Sequence, residues 1–98
     1  MPTDLVLTRT TPEFDETTVP PALLAAHTVA PRVWGRLCVR AGRVRFVFEA
    51  DPSAGIELAA GEHLDIPPGE AHHVEPLGTA RFVVEFYRAP TDQRSPER

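Results

Sequence analysis

The sequence lacks several residue types and segments, and each absence excludes a class of protein. Only one cysteine, Cys38, occurs among 98 residues, which excludes an internal disulfide and a cysteine-rich zinc cluster. Fourteen acidic and ten basic residues give a formal net charge of −4, whereas nucleic-acid-binding proteins usually carry a basic surface, so we expect no nucleic-acid partner. The sequence contains neither an apolar run long enough to cross a membrane nor the pattern of a signal peptide. We therefore expect a cytoplasmic protein with no membrane partner.

The length and composition predict one globular domain. Compact domains mostly contain about 50 to 250 residues, so 98 residues leave no room for a second core. The hydrophobic fraction of 42% and the charged fraction of 24% are ordinary for globular proteins, which excludes disorder for most of the chain. We predict a single domain over residues 1–98 with an ordered core from 8 to 90. The tail 90–98 has no apolar anchor and is predicted to fray.

Helices have little room in this sequence because its eleven prolines are spread along the whole chain. Proline removes a backbone donor and interrupts a helix. One segment, Pro21 to His27, can form a short helical turn. The remaining segments are predicted as strands and turns.

Alternation of apolar and polar residues predicts the strands. A strand from Val33 to Arg40 and a strand from Arg43 to Phe48 are joined by Ala41-Gly42, whose glycine suits a tight hairpin turn. Six or more such short antiparallel strands predict an all-β sandwich or a small barrel. The predicted interior consists of the apolar residues Leu37, Val39, Phe46, Phe48, Leu64, Phe82, Val84 and Phe86.

One motif points to a ligand site. Gly61, Pro67, Gly69 and His72 follow the spacing Gly-x5-Pro-x-Gly-x2-His. A glycine turn starts a strand, a proline–glycine corner reverses the chain, and the histidine begins the next strand. In a barrel this position lies near the mouth, where a metal ion or a small molecule can bind.

This motif resembles the second motif of the cupin superfamily, with Pro76 at the position of that motif's usual asparagine. The resemblance extends over residues 8 to 90 and becomes specific for the small TehB/YeaR-like cupin family. It is carried by the segments Thr11-Pro12-Glu13-Phe14-Asp15-Glu16, Pro21-x-Leu-Leu-x-x-His27, Val33-Trp34-Gly35-Arg36, His72-His73-Val74-Glu75-Pro76 and Phe82-Val83-Val84-Glu85-Phe86-Tyr87.

The resemblance implies a fold and a site. The fold is a single-domain cupin, a double-stranded β-helix or jelly-roll-like barrel. His27 and His72 match the family's histidine positions. The first cupin motif departs from the pattern of metal-dependent cupins, because Gly35 falls near the glutamate position and only His27 lies near the paired histidines. The usual four-residue metal set is therefore absent, and catalytic residues stay unassigned.

Strand parity leaves alternatives open for each candidate. His72 shares its parity with Val74 and is the inward histidine, either as a ligand or as a structural residue, whereas His73 and Glu75 share the outer face. His27 and His72 would offer two neutral imidazoles to zinc, iron or nickel. Glu75 and Glu85 are the candidate third ligands, and Glu75 qualifies only if its strand bulges.

Three further residues are candidates for the ligand pocket. Trp34 is either a core residue or a pocket wall, and Arg36 either contacts an anionic ligand or lies on the surface. Phe86 lies on the inward face of the last strand.

The favoured functional hypothesis is a small cupin that binds a metal ion or a small molecule at the barrel mouth. The resemblance links it to tellurite resistance and stress response, and a homodimer is consistent with the fold. One alternative is a metal-dependent dioxygenase, isomerase or hydrolase that uses His27 and His72. A second is an interaction or regulatory module without a ligand.

Overall fold

The computed structural model describes residues 1–25 and 27–90, and the predicted frayed tail, apart from Pro90, lies outside these residues. Strands dominate the described residues, and the predicted helical turn is a 3-10 helix, Pro21–Leu24. The strands are β1 (Val6–Thr10), β2 (Phe14–Asp15), β3 (Trp34–Ala41), β4 (Arg43–Phe48), β5 (Ile56–Ala59), β6 (His63–Ile66), β7 (His72–Pro76) and β8 (Arg81–Arg88).

The strands form two antiparallel sheets. The larger sheet has the order β1-β8-β3-β6, and β2 also pairs with β8. The smaller sheet has the order β5-β4-β7. Since β3 belongs to the larger sheet and β4 to the smaller, the predicted β3–β4 connection carries the chain from one sheet to the other. The all-β prediction is confirmed, although β3 and β4 are not paired as a hairpin.

The turn between β3 and β4 requires glycine. Gly42 has a φ of 69°, a backbone conformation that L-residues rarely adopt. A Cβ atom at this position would lie 2.0 Å from the backbone oxygen of Thr79. The β3–β4 corner therefore packs directly against the turn that precedes β8.

One core fills the space between the sheets. Its most deeply buried large side chains include Phe46 of the smaller sheet and Phe82 and Leu37 of the larger sheet. The predicted interior is confirmed, because its eight residues either belong to the core or pack against it. Beyond these eight residues the core also contains Val19, Val29, Val33, Val44, Leu58, Ile66, Val74 and Ala80.

The terminal strands lie side by side. β1 is an edge strand that pairs with β8, and its register shifts between Leu7 and Arg9. Among the described residues, no helix is long and apolar enough to span a lipid bilayer.

Candidate functional site

The two histidines singled out in the sequence lie side by side at the edge of the smaller sheet. The N–H of His27 donates to the carbonyl of His72 at 2.8 Å, and the N–H of His72 donates to the carbonyl of His27 at 2.8 Å. This reciprocal pair forms a two-residue antiparallel bridge beside β7. The imidazole centroids are 5.6 Å apart and the ring planes are nearly perpendicular, at 85°.

His72 is held in one orientation by its surroundings. Its side chain stacks on Phe46, with centroids 5.1 Å apart and planes 23° apart. Its Nδ1 lies 2.9 Å from the backbone oxygen of Glu70, so Nδ1 is the donor of that hydrogen bond. Only 3% of the residue is exposed, and burial lowers the pKa of His72 below its ordinary value, against the opposing effect of the Glu70 hydrogen bond. A neutral His72 then has an accepting lone pair on Nε2.

Both imidazoles line a cavity between the sheets, which we call the inner cavity. Its volume is about 170 Å³. The polar lining residues are Arg9, Thr11, His27 and His72. The apolar lining residues are Phe14, Leu23, Val29, Leu37, Ile66, Val74, Val84 and Phe86. The arrangement is suited to a molecule with an apolar body and a few groups that hydrogen-bond.

Glu75, the predicted third metal ligand, lies away from this pair. It occupies the outer face of β7, where its Oε2 is 2.6 Å from Nε2 of His73 and its Oε1 is 3.4 Å from Nε of Arg45. The strand does not bulge between His72 and Pro76, since its register with β4 is continuous. Parity therefore sends Glu75 outward, while His72 and Val74 point inward.

Two of the three predicted pocket residues also lie outside the inner cavity. Trp34 and Arg36 share the outer face of β3, because Gly35 and Leu37 occupy its buried face. Nε of Arg36 donates to Oδ1 of Asp65 at 2.7 Å, and the Arg36 guanidinium lies 5.3 Å from the centroid of Tyr87. Phe86 does line the cavity, as its inward parity indicates.

Arg9 and Thr11 are cavity residues that the sequence did not reveal. They belong to the segment that pairs with β8, and this pairing joins residues more than seventy positions apart. The hydroxyl of Thr11 accepts a hydrogen bond from the N–H of Val84 at 3.0 Å. Near the start of the chain, only Leu5 and Leu7 alternate with polar residues, and this short pattern gives no signal that could have placed them.

The donor set of the inner cavity fits a resident metal ion incompletely. The two imidazoles are suitable ligands, and the Nδ1–Glu70 bond is the type of support that metal-binding histidines usually have. Protein metal sites commonly use three or four protein ligands. The described part of the chain holds no cluster of three or more histidine, cysteine or acidic residues placed to bind a metal, and the guanidinium of Arg9 adds positive charge.

Comparisons with known proteins agree with this geometry. The family model of the TehB-like domain matches residues 9–84. The uncharacterized protein YeaR of Escherichia coli strain K12 is 29% identical in an alignment 99 residues long, gaps included, that covers 92% of this chain and 83% of YeaR.

Solved structures show the same fold. The structure of TehB from Haemophilus influenzae superposes with a TM-score of 0.82 at 23% identity, and the match covers 91% of this chain and 33% of TehB. A cupin-2 domain containing protein from Shewanella frigidimarina superposes with a TM-score of 0.54 at 21% identity, covering 87% of this chain and 72% of that one. The predicted cupin-like barrel is thereby confirmed.

Proposed function

This chain belongs to the TehB-like domain family, and from that premise we propose that its cupin-like barrel binds a small organic molecule in the inner cavity. The observation that carries the proposal is the pair of adjacent imidazoles, with ring centroids 5.6 Å apart, in a wall that is otherwise mostly apolar. Apolar contacts would hold the body of the ligand, and the imidazoles would orient its polar group.

The size of the cavity restricts the ligand. A dry apolar cavity of about 150 Å³ accommodates one benzene molecule. The inner cavity, at about 170 Å³, therefore suits a single six-membered ring or a branched chain of similar size. A nucleotide or a large cofactor would extend far outside it.

Benzamide is a suitable neutral probe because it combines one ring with one polar group. In an NMR titration of ¹⁵N-labelled protein, we expect amide shifts concentrated at β7, β8 and residues 27–29, with a Kd of about 1 mM, or about 4 kcal/mol. His27→Ala and His72→Ala should each weaken binding several-fold, since the ligand loses a polar partner. His63→Ala is the matched control, because His63 is exposed on β6.

The titration separates the alternatives. Shifts scattered over the surface, or an equal effect of His63→Ala, would contradict binding in the inner cavity. The absence of any response to benzamide, benzoate and benzyl alcohol at tens of millimolar would favour the interaction module without a ligand.

A divalent metal ion is the second candidate, and the orientation of His72 by the Glu70 carbonyl is the observation in its favour. Elemental analysis of protein purified without chelators tests it. Near-stoichiometric zinc, iron or nickel that is lost in His27→Ala and His72→Ala, but kept in His63→Ala, would replace the organic ligand with a metal site. Only then would a metal-dependent enzyme become the working hypothesis.

Roles in tellurite resistance and stress response, a cytoplasmic location and a homodimer stay predictions. A deletion strain challenged with tellurite or nitrosative stress tests the roles in tellurite resistance and stress response. Analytical ultracentrifugation tests the oligomeric state.

A further inference from the structure

A second hollow lies directly outside the inner cavity and carries positive charge. This outer hollow has a volume of about 470 Å³ and shares Arg9, His27, Val29 and Phe86 with the inner cavity. Its lining also includes Arg88, at the end of β8. The shared residues show that the two spaces adjoin, so one ligand can contact the lining of both.

The geometry of β1 and β8 places Arg9 and Arg88 in the lining of the outer hollow. On β8, Arg88 continues the inward row of Phe82, Val84 and Phe86, because alternate residues share a face. On β1, Arg9 is the register partner of Phe86. The Arg9 guanidinium lies over the Phe86 ring, 4.8 Å from its centroid, and is therefore held at the boundary between the two spaces.

The charge of these arginines is not balanced within the described part of the chain. There, Arg36, Arg43 and Arg45 each pair with a carboxylate. Neither Arg9 nor Arg88 has such a pair, and no described Asp or Glu lines either space. In a chain with fourteen acidic and ten basic residues, two cations around a mouth without carboxylates form a local site for an anion.

We infer that the ligand is a small organic acid whose apolar body occupies the inner cavity and whose oxyanion binds Arg9 and Arg88 in the outer hollow. This inference rests on the proposed function and adds the chemical class of the ligand. Guanidinium groups suit it because their planar donors bind carboxylate oxygens in pairs. His27, which lines both spaces, would contact the same head group.

Benzoate and benzamide form the decisive pair of probes, since they share a ring and a shape and differ in charge. At about 20 mM salt we expect benzoate to bind about tenfold more tightly than benzamide, the difference that one charge-assisted hydrogen bond can supply. Raising the salt to about 300 mM should weaken the binding of benzoate and leave the affinity for benzamide unchanged. Inorganic phosphate alone, which has no apolar body, should bind much more weakly than benzoate.

Substitutions test the two arginines. Arg9→Gln and Arg88→Gln should each lower the affinity for benzoate about fivefold and hardly change that for benzamide. Arg81→Gln is the matched control, because Arg81 is an exposed residue at the opposite end of β8. Arg88→Lys should restore part of the affinity. Thermal unfolding of each variant checks that the fold is kept.

The outcomes separate this inference from the proposed function. Equal affinities for benzoate and benzamide, or equal effects of Arg81→Gln and Arg88→Gln, would overturn the organic-acid inference and leave the cavity proposal standing. Binding of neither probe would overturn both.

Discussion

At the scale of residues, the neighbours His72 and His73 have opposite environments. His72 faces inward, and burial lowers its pKa. His73 faces outward, where Nδ1 contacts Glu49 and Nε2 contacts Glu75. The hydrogen bond to Glu49, and then that to Glu75, raise the pKa of His73. One step along the chain therefore separates a group that protonates less readily from one that protonates more readily.

These two shifts predict a stability maximum near pH 6.5. His73 contributes stability that is fully present below its unfolded pKa, about 6.5, and is lost as the pH rises through its higher folded pKa. His72 has the opposite sign, because its folded pKa is lowered. Burial favours the neutral form of His72, so the folded state loses stability as the pH falls below about 6.5. We expect His73→Gln to remove the decline on the alkaline side, about 0.5 kcal/mol.

Urea unfolding between about pH 5.5 and 8.5 measures this effect. His63→Gln, at an exposed position, is the control and should keep the wild-type profile. An alkaline decline that persists in His73→Gln would assign it to other groups.

At the scale of elements, the β3–β4 corner predicts a difference between two glycines. Gly42 and Gly61 both have positive φ, 69° and 90°. A Cβ atom at position 61 would meet nothing within 4 Å, whereas one at position 42 would overlap the Thr79 oxygen. We expect Gly61→Ala to cost about 1 kcal/mol from the backbone alone. Gly42→Ala should cost about 3 kcal/mol, because steric overlap is added.

Chemical denaturation of both variants measures the two costs. Equal losses would show that the corner relaxes without disturbing the turn at Thr79. A loss at Gly61 larger than that at Gly42 would contradict the packing described at the corner.

Sequence patterns identified the elements better than their partners. Alternation predicted the faces of β3, β4 and β8, and the proline–glycine corner predicted an inward His72. Parity had also placed Glu75 outward. Trp34 and Arg36 were candidates for the pocket, but Leu37 fixes the inward face of β3, so they lie outside. The position of Arg9 depends on the β1–β8 pairing, which no local pattern encodes, whereas Arg88 follows the alternation of β8.

At the scale of the whole molecule, the two sheets share one core and should unfold together. Trp34 lies on β3 of the larger sheet and reports on that sheet by fluorescence. Phe46 belongs to the smaller sheet and is fully buried. If the core couples the sheets, Phe46→Ala should lower the free energy of unfolding measured by Trp34 fluorescence by about 3 to 5 kcal/mol.

For each protein, the unfolding midpoint from fluorescence should then equal the midpoint from far-ultraviolet circular dichroism, and both midpoints should be lower for Phe46→Ala than for wild type. Leu77→Ala is the control, since 39% of Leu77 is exposed and its loss should stay within about 0.5 kcal/mol. A Trp34 transition that Phe46→Ala leaves in place would mean that the sheets unfold separately.

The reciprocal backbone bonds between His27 and His72 have a consequence for redesign. They involve only main-chain atoms, so the sheet fixes the separation of the two backbone positions without needing imidazoles there. Any pair of residues compatible with the barrel would be presented at the same separation. Substituting His27 and His72 together should thus give the barrel a new ligand preference while the rest of the chain stays unaltered.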